Sequence, residues 1–177
     1  MKRASASVYL TSLALVAALV GRAQDSKPLV PELLGVVYHL DSEKATLVPL
    51  ERQPAHIVSK GATFLFGTYK RRVEVQGARS PVRFAAGQKL EFVVSTEQVQ
   101  LYRLASKQKK REALLTSSTV LVVAERTKTN LSVMAIDMRP YGSAIKITPA
   151  ESLTPGEYGF RIGNEMFCFG VDAPAPK

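Results

Sequence analysis

Short runs in which apolar and polar residues alternate recur along this chain, and no other feature constrains its fold as strongly. The alternating runs are 69–75, 89–94, 145–148 and 158–162. Because successive side chains of a β-strand point to opposite faces, a period of two places one set on a core and the other in water. Turn-like segments at 76–81 and 86–88 separate such runs. We therefore expect an all-β protein with mainly antiparallel strands.

Other apolar runs predict further strands. Residues 35–40 and 45–50 flank the polar segment 41–44, a pattern typical of a β-hairpin at the N-terminal end of the domain. The run 119–124 is almost uniformly apolar, which predicts a strand buried on both faces. After a predicted turn at Gly163, residues 165–171 predict the last strand.

The stretch 99–115 allows two interpretations. Residues 99–104 and 111–116 could be two strands joined by a polar connection. Alternatively, Ser106 could cap a short basic helix that runs to Leu115. The spacing of the neighbouring strands favours the hairpin.

The N-terminus has the layout of a secretory signal peptide. A basic start at 1–3 is followed by the apolar run 8–20 and by Gly21 and Ala23, small residues three and one positions before a cut at Gln24. The apolar run is shorter than the roughly 20 residues that a membrane-spanning helix needs. We therefore expect residues 1–23 to be a cleaved signal peptide and the protein to be periplasmic or extracellular.

The remaining chain suits one domain. We expect a lead-in segment at 24–34, a β-sandwich domain at 35–172 and a short extended tail at 173–177. No second apolar stretch approaches the length of a membrane span, so we expect no transmembrane segment in the mature chain.

The chain is basic, and its cations cluster. The formal charge of the 177 residues is +9, and it falls to +6 without the three basic residues of the signal peptide. Such a charge is compatible with attraction to phosphates, anionic lipids or acidic polysaccharides. A possible anion patch consists of Lys70, Arg71, Arg72, Lys107, Lys109, Lys110 and Arg111. The competing interpretation is a solvated loop tip with lysines that protect strand edges from pairing.

Catalytic and metal-binding patterns are scarce. His39, Asp41 and His56 could supply three metal ligands, but no spacing requires it, and we expect surface or turn positions and no metal. Cys168 stands between two phenylalanines, which is typical of a small packed hydrophobic residue. The sequence contains no nucleotide-binding motif, no cofactor-binding motif and no motif of a catalytic nucleophile, so we expect no cofactor and no catalytic residues.

The sharpest local pattern is Leu153-Thr154-Pro155-Gly156-Glu157-Tyr158. It resembles the E–F corner of immunoglobulin-like and fibronectin type III-like sandwiches, in which a tyrosine hydroxyl bonds back to the upstream backbone. The resemblance implies a structural corner at Leu153, Pro155, Gly156 and Tyr158. It also implies an antiparallel immunoglobulin-like sandwich, here with an extra N-terminal hairpin. The chain lacks the tryptophan and the paired cysteines of immunoglobulin domains and is similar to uncharacterised exported bacterial proteins.

These observations favour an exported, non-catalytic binding or interaction module. Its expected partner is a protein or an acidic polymer. Nucleic acid is disfavoured by export and by the lack of stacking aromatics near the lysines. The alternative function is a hydrolase of cell-envelope polymer, with dispersed carboxylates such as Glu91, Glu97 and Glu157.

Overall fold

The structure, a computed structural model, describes residues 28–61, 67–121 and 124–174, without the side chains of 120–125. The predicted signal peptide and the last three residues of the predicted tail lie outside the described residues. Every regular element of the described residues is a β-strand, which confirms the all-β prediction. None of these residues forms a helix with the length and hydropathy that a bilayer crossing requires.

The strands have the following bounds. They are β1 (Tyr38–Asp41), β2 (Thr46–Pro49), β3 (Glu51–Pro54), β4 (His56–Lys60), β5 (Gly67–Gln76), β6 (Arg83–Ala85), β7 (Phe92–Val94), β8 (Gln100–Ser106), β9 (Lys110–Leu121), β10 (Ala124–Thr129), β11 (Val133–Met134), β12 (Ile136–Tyr141), β13 (Ala144–Pro149), β14 (Gly156–Ile162) and β15 (Glu165–Asp172).

The strands form two sheets. A five-stranded sheet has the order β12-β13-β7-β1-β2. A ten-stranded sheet has the path β3-β15-β14-β8-β9-β5-β4, with β10 beside β9, β11 beside β8 and β6 beside β15. The β6–β15 pair is parallel and the other recorded pairs are antiparallel. The larger sheet is strongly curled into a half-barrel. The sequence predicts a sandwich of two sheets but not this curl.

The curl creates two cores, one on each face of the ten-stranded sheet. The outer face packs against the five-stranded sheet through Phe92, Tyr158, Phe160, Phe167 and Phe169, among others. The concave side, which we call the inner face, packs on itself through Val73, Val75, Tyr102, Leu104, Ala113, Met166 and Cys168. Consecutive residues of β15 are therefore buried on both faces, because each face of this strand has its own core.

Close packing of the inner face depends on a glycine in a strand interior. A Cβ on Gly159 would lie 2.7 Å from Sδ of Met166, the residue that fills this part of the inner core. Real Cβ atoms do not approach a neighbour so closely, so the missing side chain leaves the space that Met166 occupies.

The hairpin predictions are confirmed. Tyr38–Asp41 pairs with Thr46–Pro49 in antiparallel register. The stretch 99–115 is also a hairpin, with Ala105 opposite Glu112, and the alternative helix is wrong. The predicted double burial of 119–124 falls mostly on side chains outside the described set.

The tyrosine corner has the hydrogen bond that the resemblance implies. The Tyr158 hydroxyl donates to the backbone oxygen of Thr154 over 2.6 Å, and the Tyr158 ring is fully buried. Leu153 packs against the outer core, as expected of an anchor. Gly156 opens β14 with a φ of +158°, a backbone conformation that residues with a side chain rarely adopt.

Candidate anion-binding surface

The inner face ends in buried charges, of which Arg111 is the centre. Its side chain is 0% exposed. Its Nη1 and Nη2 donate to the two carboxylate oxygens of Glu51 over 2.9 and 3.0 Å. Its Nε and Nη2 also donate to the backbone oxygens of Gly77 and Gln76. Glu157 completes the surroundings, with Oε2 at 3.7 Å from Nη1. A buried guanidinium is stable only when its donors are satisfied in this way.

Arg83 extends this group of charges towards the surface. It donates to Glu157 and, through Nη2, to Asp172 over 2.6 Å. A Cβ on Gly170 would lie 1.9 Å from the Arg83 guanidinium, so glycine provides the space for this contact. We call Arg111, Glu51, Glu157, Arg83 and Asp172 the buried charge cluster.

The carboxylates of the buried charge cluster are paired with arginines and are not available as catalytic groups. Burial raises the pKa of Glu51, but hydrogen bonds from Arg111, Ser80 and Gln53 together outweigh it and hold that pKa below its usual value. The carboxylate is therefore charged and occupied by its partner. Burial raises the pKa of the neighbouring Cys168 thiol to about 12, which removes it as a nucleophile near neutral pH. The expectation that Cys168 is a packed residue is confirmed by its full burial.

The two predicted basic clusters converge on one carboxylate, Glu112. Its Oε1 lies 2.6 Å from Nζ of Lys107 and 3.4 Å from Nη1 of Arg72. Lys110 lies 3.6 Å from the other oxygen and 2.5 Å from Oε1 of Glu74, the residue opposite Glu112 in the β5–β9 register. Burial raises the pKa of Glu112, but the three cations outweigh it and lower that pKa. These three cations are therefore partly compensated by the two carboxylates.

The other members of the predicted patch are placed differently. Arg111 was expected at an exposed hairpin tip, and this expectation is corrected by its burial with Glu51. Arg111 stands between Lys110 and Glu112 on β9, so its side chain points into the half-barrel whereas theirs point outwards. Arg71 likewise alternates with Lys70 on β5, and Lys109 is exposed at the tip.

An uncompensated set of cations lies further along the outer face. Lys60 is opposite Lys70, Lys70 is opposite Ser117, and Ser117 is opposite Lys128. Residues opposite one another share a face, so the three lysines form a row across four strands about 4.8 Å apart. Arg126 lies one step along the same face, opposite Thr119. We call Lys60, Lys70, Lys128 and Arg126 the cationic face.

Within the described part of the chain, none of these four cations takes part in an ion pair. Glu125 precedes Arg126 on β10 and is opposite Val120 in the register with β9, so it is not a position of this row. Like charges placed opposite one another across strands destabilise a sheet. The cationic face therefore carries an electrostatic cost that a bound anion would relieve.

The predicted metal candidates do not meet. His39 was expected at a surface or turn position, which is wrong: it is buried against Phe84, at 4.4 Å between ring centroids, and Phe92. Burial lowers the His39 pKa, and the nearby Asp41 only partly opposes this. His56 lies on β4, opposite Glu74. Among the residues that the structure describes, no three His, Cys, Asp or Glu side chains are grouped as metal ligands.

Sequence reasoning missed Lys60, Lys128 and Arg126. Each is an isolated cation in the sequence, and only the strand register brings them beside Lys70. A faint indication was available, since Arg126 and Lys128 are two positions apart and would share a face of any strand.

No protein-family model matches the sequence, and comparison with curated proteins and with solved structures also gives no match.

Proposed function

We propose that this is an exported, non-catalytic binding module that holds an acidic polymer on its cationic face. One observation carries the proposal: three lysines lie in a single cross-strand row without a carboxylate partner among the described residues. Export rests on the sequence pattern of residues 1–23.

The geometry favours a linear, flexible polyanion. Lysine ammonium groups are compact point charges on long stems, so they suit repeated anionic groups better than one planar ligand. Lys60 and Lys70 lie on neighbouring strands about 4.8 Å apart, and Lys128 lies two strands beyond Lys70, so the row offers separate anionic groups of one extended chain a contact each. Tyr69 alternates with Lys70 and so lies off the row, and the described positions of the row hold no aromatic platform for stacking bases.

The alternative, a hydrolase of cell-envelope polymer, finds no supporting geometry in the described residues. Three carboxylates converge, those of Glu51, Glu157 and Asp172, but each is hydrogen-bonded to an arginine. A catalytic acid needs a raised pKa, whereas the pKa values of Glu51 and Asp172 are lowered.

An immunoglobulin-like relationship is part of the proposal. The Tyr158 hydrogen bond to Thr154 supports it. The curled ten-stranded sheet would then be an elaboration of one layer of the sandwich.

A matched pair of triple variants tests the function. Lys60, Lys70 and Lys128 are changed to alanine in one, and Lys44, Lys89 and Lys109 in the other, so both lose the same charge. On a dextran sulfate column eluted with salt, we expect the control to elute like the parent and the first variant to elute earlier. Identical elution of the two variants would show that net charge alone drives retention, and the proposed face would be wrong.

A further inference from the structure

A groove opens on the outer face of the half-barrel, on the same side as the cationic face. It has a volume of about 340 Å³ and lies between β5, β8, β9 and the turn before β11. Arg72 and Arg103 line it together with Leu114 and Leu131. Arg72 lies two positions from Lys70 on β5, so groove and lysine row share one surface.

The groove carries excess positive charge. Arg103 takes part in none of the ion pairs within the described residues, and Arg72 shares Glu112 with Lys107. Four cations, Arg72, Arg103, Lys107 and Lys110, thus lie around the two carboxylates Glu74 and Glu112. A guanidinium without a partner is available for a planar anion, which it can bind through two parallel hydrogen bonds.

The groove also has an apolar wall that is fixed in place. Leu131 is 43% exposed. It follows Asn130, which has a φ of +54°, a left-handed conformation that asparagine tolerates better than most residues. Ser132 ties this turn to both neighbouring strands, because its backbone oxygen accepts from Arg103 N over 3.0 Å and its hydroxyl from Leu114 N over 3.1 Å. Leu131 is therefore held over the groove.

We propose that this groove is the subsite for one uronic acid ring, which makes the acidic polymer a carboxylate-bearing polysaccharide; this rests on the proposed function. Arg103 and Arg72 bind the ring carboxylate, and Leu114 and Leu131 cover a C–H face of the ring. Guanidinium groups suit a planar carboxylate better than ammonium groups do. An inorganic polyanion such as polyphosphate would satisfy the lysine row but has no apolar surface for the leucines.

The test compares two probes, hexagalacturonate and linear polyphosphate, by calorimetry at one fixed salt concentration. For Arg103→Ala we expect affinity for hexagalacturonate to fall about tenfold, as for a lost charge-assisted hydrogen bond. We expect its affinity for polyphosphate to change by less than about twofold, because the lysine row is intact. Lys128→Ala serves as the reference and should weaken both probes alike.

A second matched pair of variants tests the apolar wall of the groove. Leu131→Ala should weaken hexagalacturonate alone, and Leu34→Ala, at another exposed leucine, should weaken neither probe. The methyl NMR signals of Leu131 should shift with galacturonate trisaccharide and not with its methyl ester. Unchanged circular dichroism and melting temperature show that each variant is folded.

The outcomes separate the two proposals. If Arg103→Ala weakens both probes equally, Arg103 is a general surface charge and the subsite is wrong, while the proposed function stands. Binding of polyphosphate without hexagalacturonate would also overturn the subsite and identify a phosphate polymer as partner. If the parent protein binds neither probe, the proposed function fails, and the subsite fails with it.

Discussion

Inside the curled sheet each arginine of the buried charge cluster has a carboxylate within hydrogen-bond distance, whereas on the outer face the cations of the cationic face have none among the described residues. The two regions share strand β9, on which Arg111 and Ser117 lie on opposite faces because the β5–β9 register shifts by one residue between Arg71 and Arg72. Burial explains the difference. An unpaired charge in the interior would cost several kcal/mol of stability, whereas water tolerates a row of lysines at a small cost. The balanced charges thus stabilise the structure, and the unbalanced exposed charges are the basis of the proposed binding surface.

The largest expected effect is at the centre of the buried charge cluster. Arg111→Leu leaves the largely buried Glu51 carboxylate without its cation, although Glu157 keeps Arg83, and it should lower the free energy of unfolding by about 3–5 kcal/mol. Urea denaturation measures it, with Arg103→Leu on the outer face as a control that changes stability by less than about 0.5 kcal/mol. Equal losses in the two variants would contradict the contrast. If Arg111→Leu does not fold, adding Glu51→Leu should recover part of the stability, because the stranded charge is removed.

A smaller effect is expected at the outer end of the cluster. The new Cβ of Gly170→Ala would displace the Arg83 guanidinium from Glu157, at a cost of about 1–3 kcal/mol. Because Arg83→Ala removes the same contact, the two changes together should cost much less than their sum. Additive losses in urea denaturation would show that Gly170 acts by another route.

The tyrosine corner provides a test of intermediate size that involves no charge. Tyr158→Phe leaves the Thr154 carbonyl without its donor and should cost about 1 kcal/mol. Tyr69→Phe, at an exposed tyrosine, is the control and should be neutral in the same thermal denaturation experiment. A neutral Tyr158→Phe would remove the corner from the account.

The smallest effect has opposite signs in two neighbouring regions. Lys70→Thr relieves repulsion with Lys60 and should stabilise the protein by about 0.2–1 kcal/mol. Lys110→Thr leaves Glu74 and Glu112 facing each other without their shared cation and should destabilise it. The melting temperatures of the two variants, compared with that of the parent protein, test both signs. Destabilisation by Lys70→Thr would mean that the lysine row is a structural feature.

The sequence predicts strands and local packing well because both depend on near neighbours. Period two identified the strand with Val73 and Val75, and the flanking phenylalanines placed Cys168 in a core. It could not predict the curl of the large sheet, which gives β15 a core on each face. His39 was misjudged for a related reason: its burial depends on Phe84 and Phe92, which are distant in the chain.

The candidate site depends on pairing between distant segments. Arg111 looks like one more cation of a basic hairpin tip until Glu51, 60 positions away, is placed beside it. Lys60, Lys70 and Lys128 form a row only in one register of four strands. Alternation fixes which face a residue occupies but not which residue stands opposite, and a shift of one position would disperse the row.

The salt dependence of binding tests most directly whether the lysine row is the contact with the acidic polymer. The dissociation constant for polygalacturonate is measured over a range of salt concentrations for the parent and for the variant with alanine at Lys60, Lys70 and Lys128. Each phosphate-like contact to a linear polyanion contributes about 0.7 to the slope of log affinity against log salt, so three lost contacts should lower the slope by roughly 2. An unchanged slope would contradict the account, because the lysines would then release no counterions when the polymer binds.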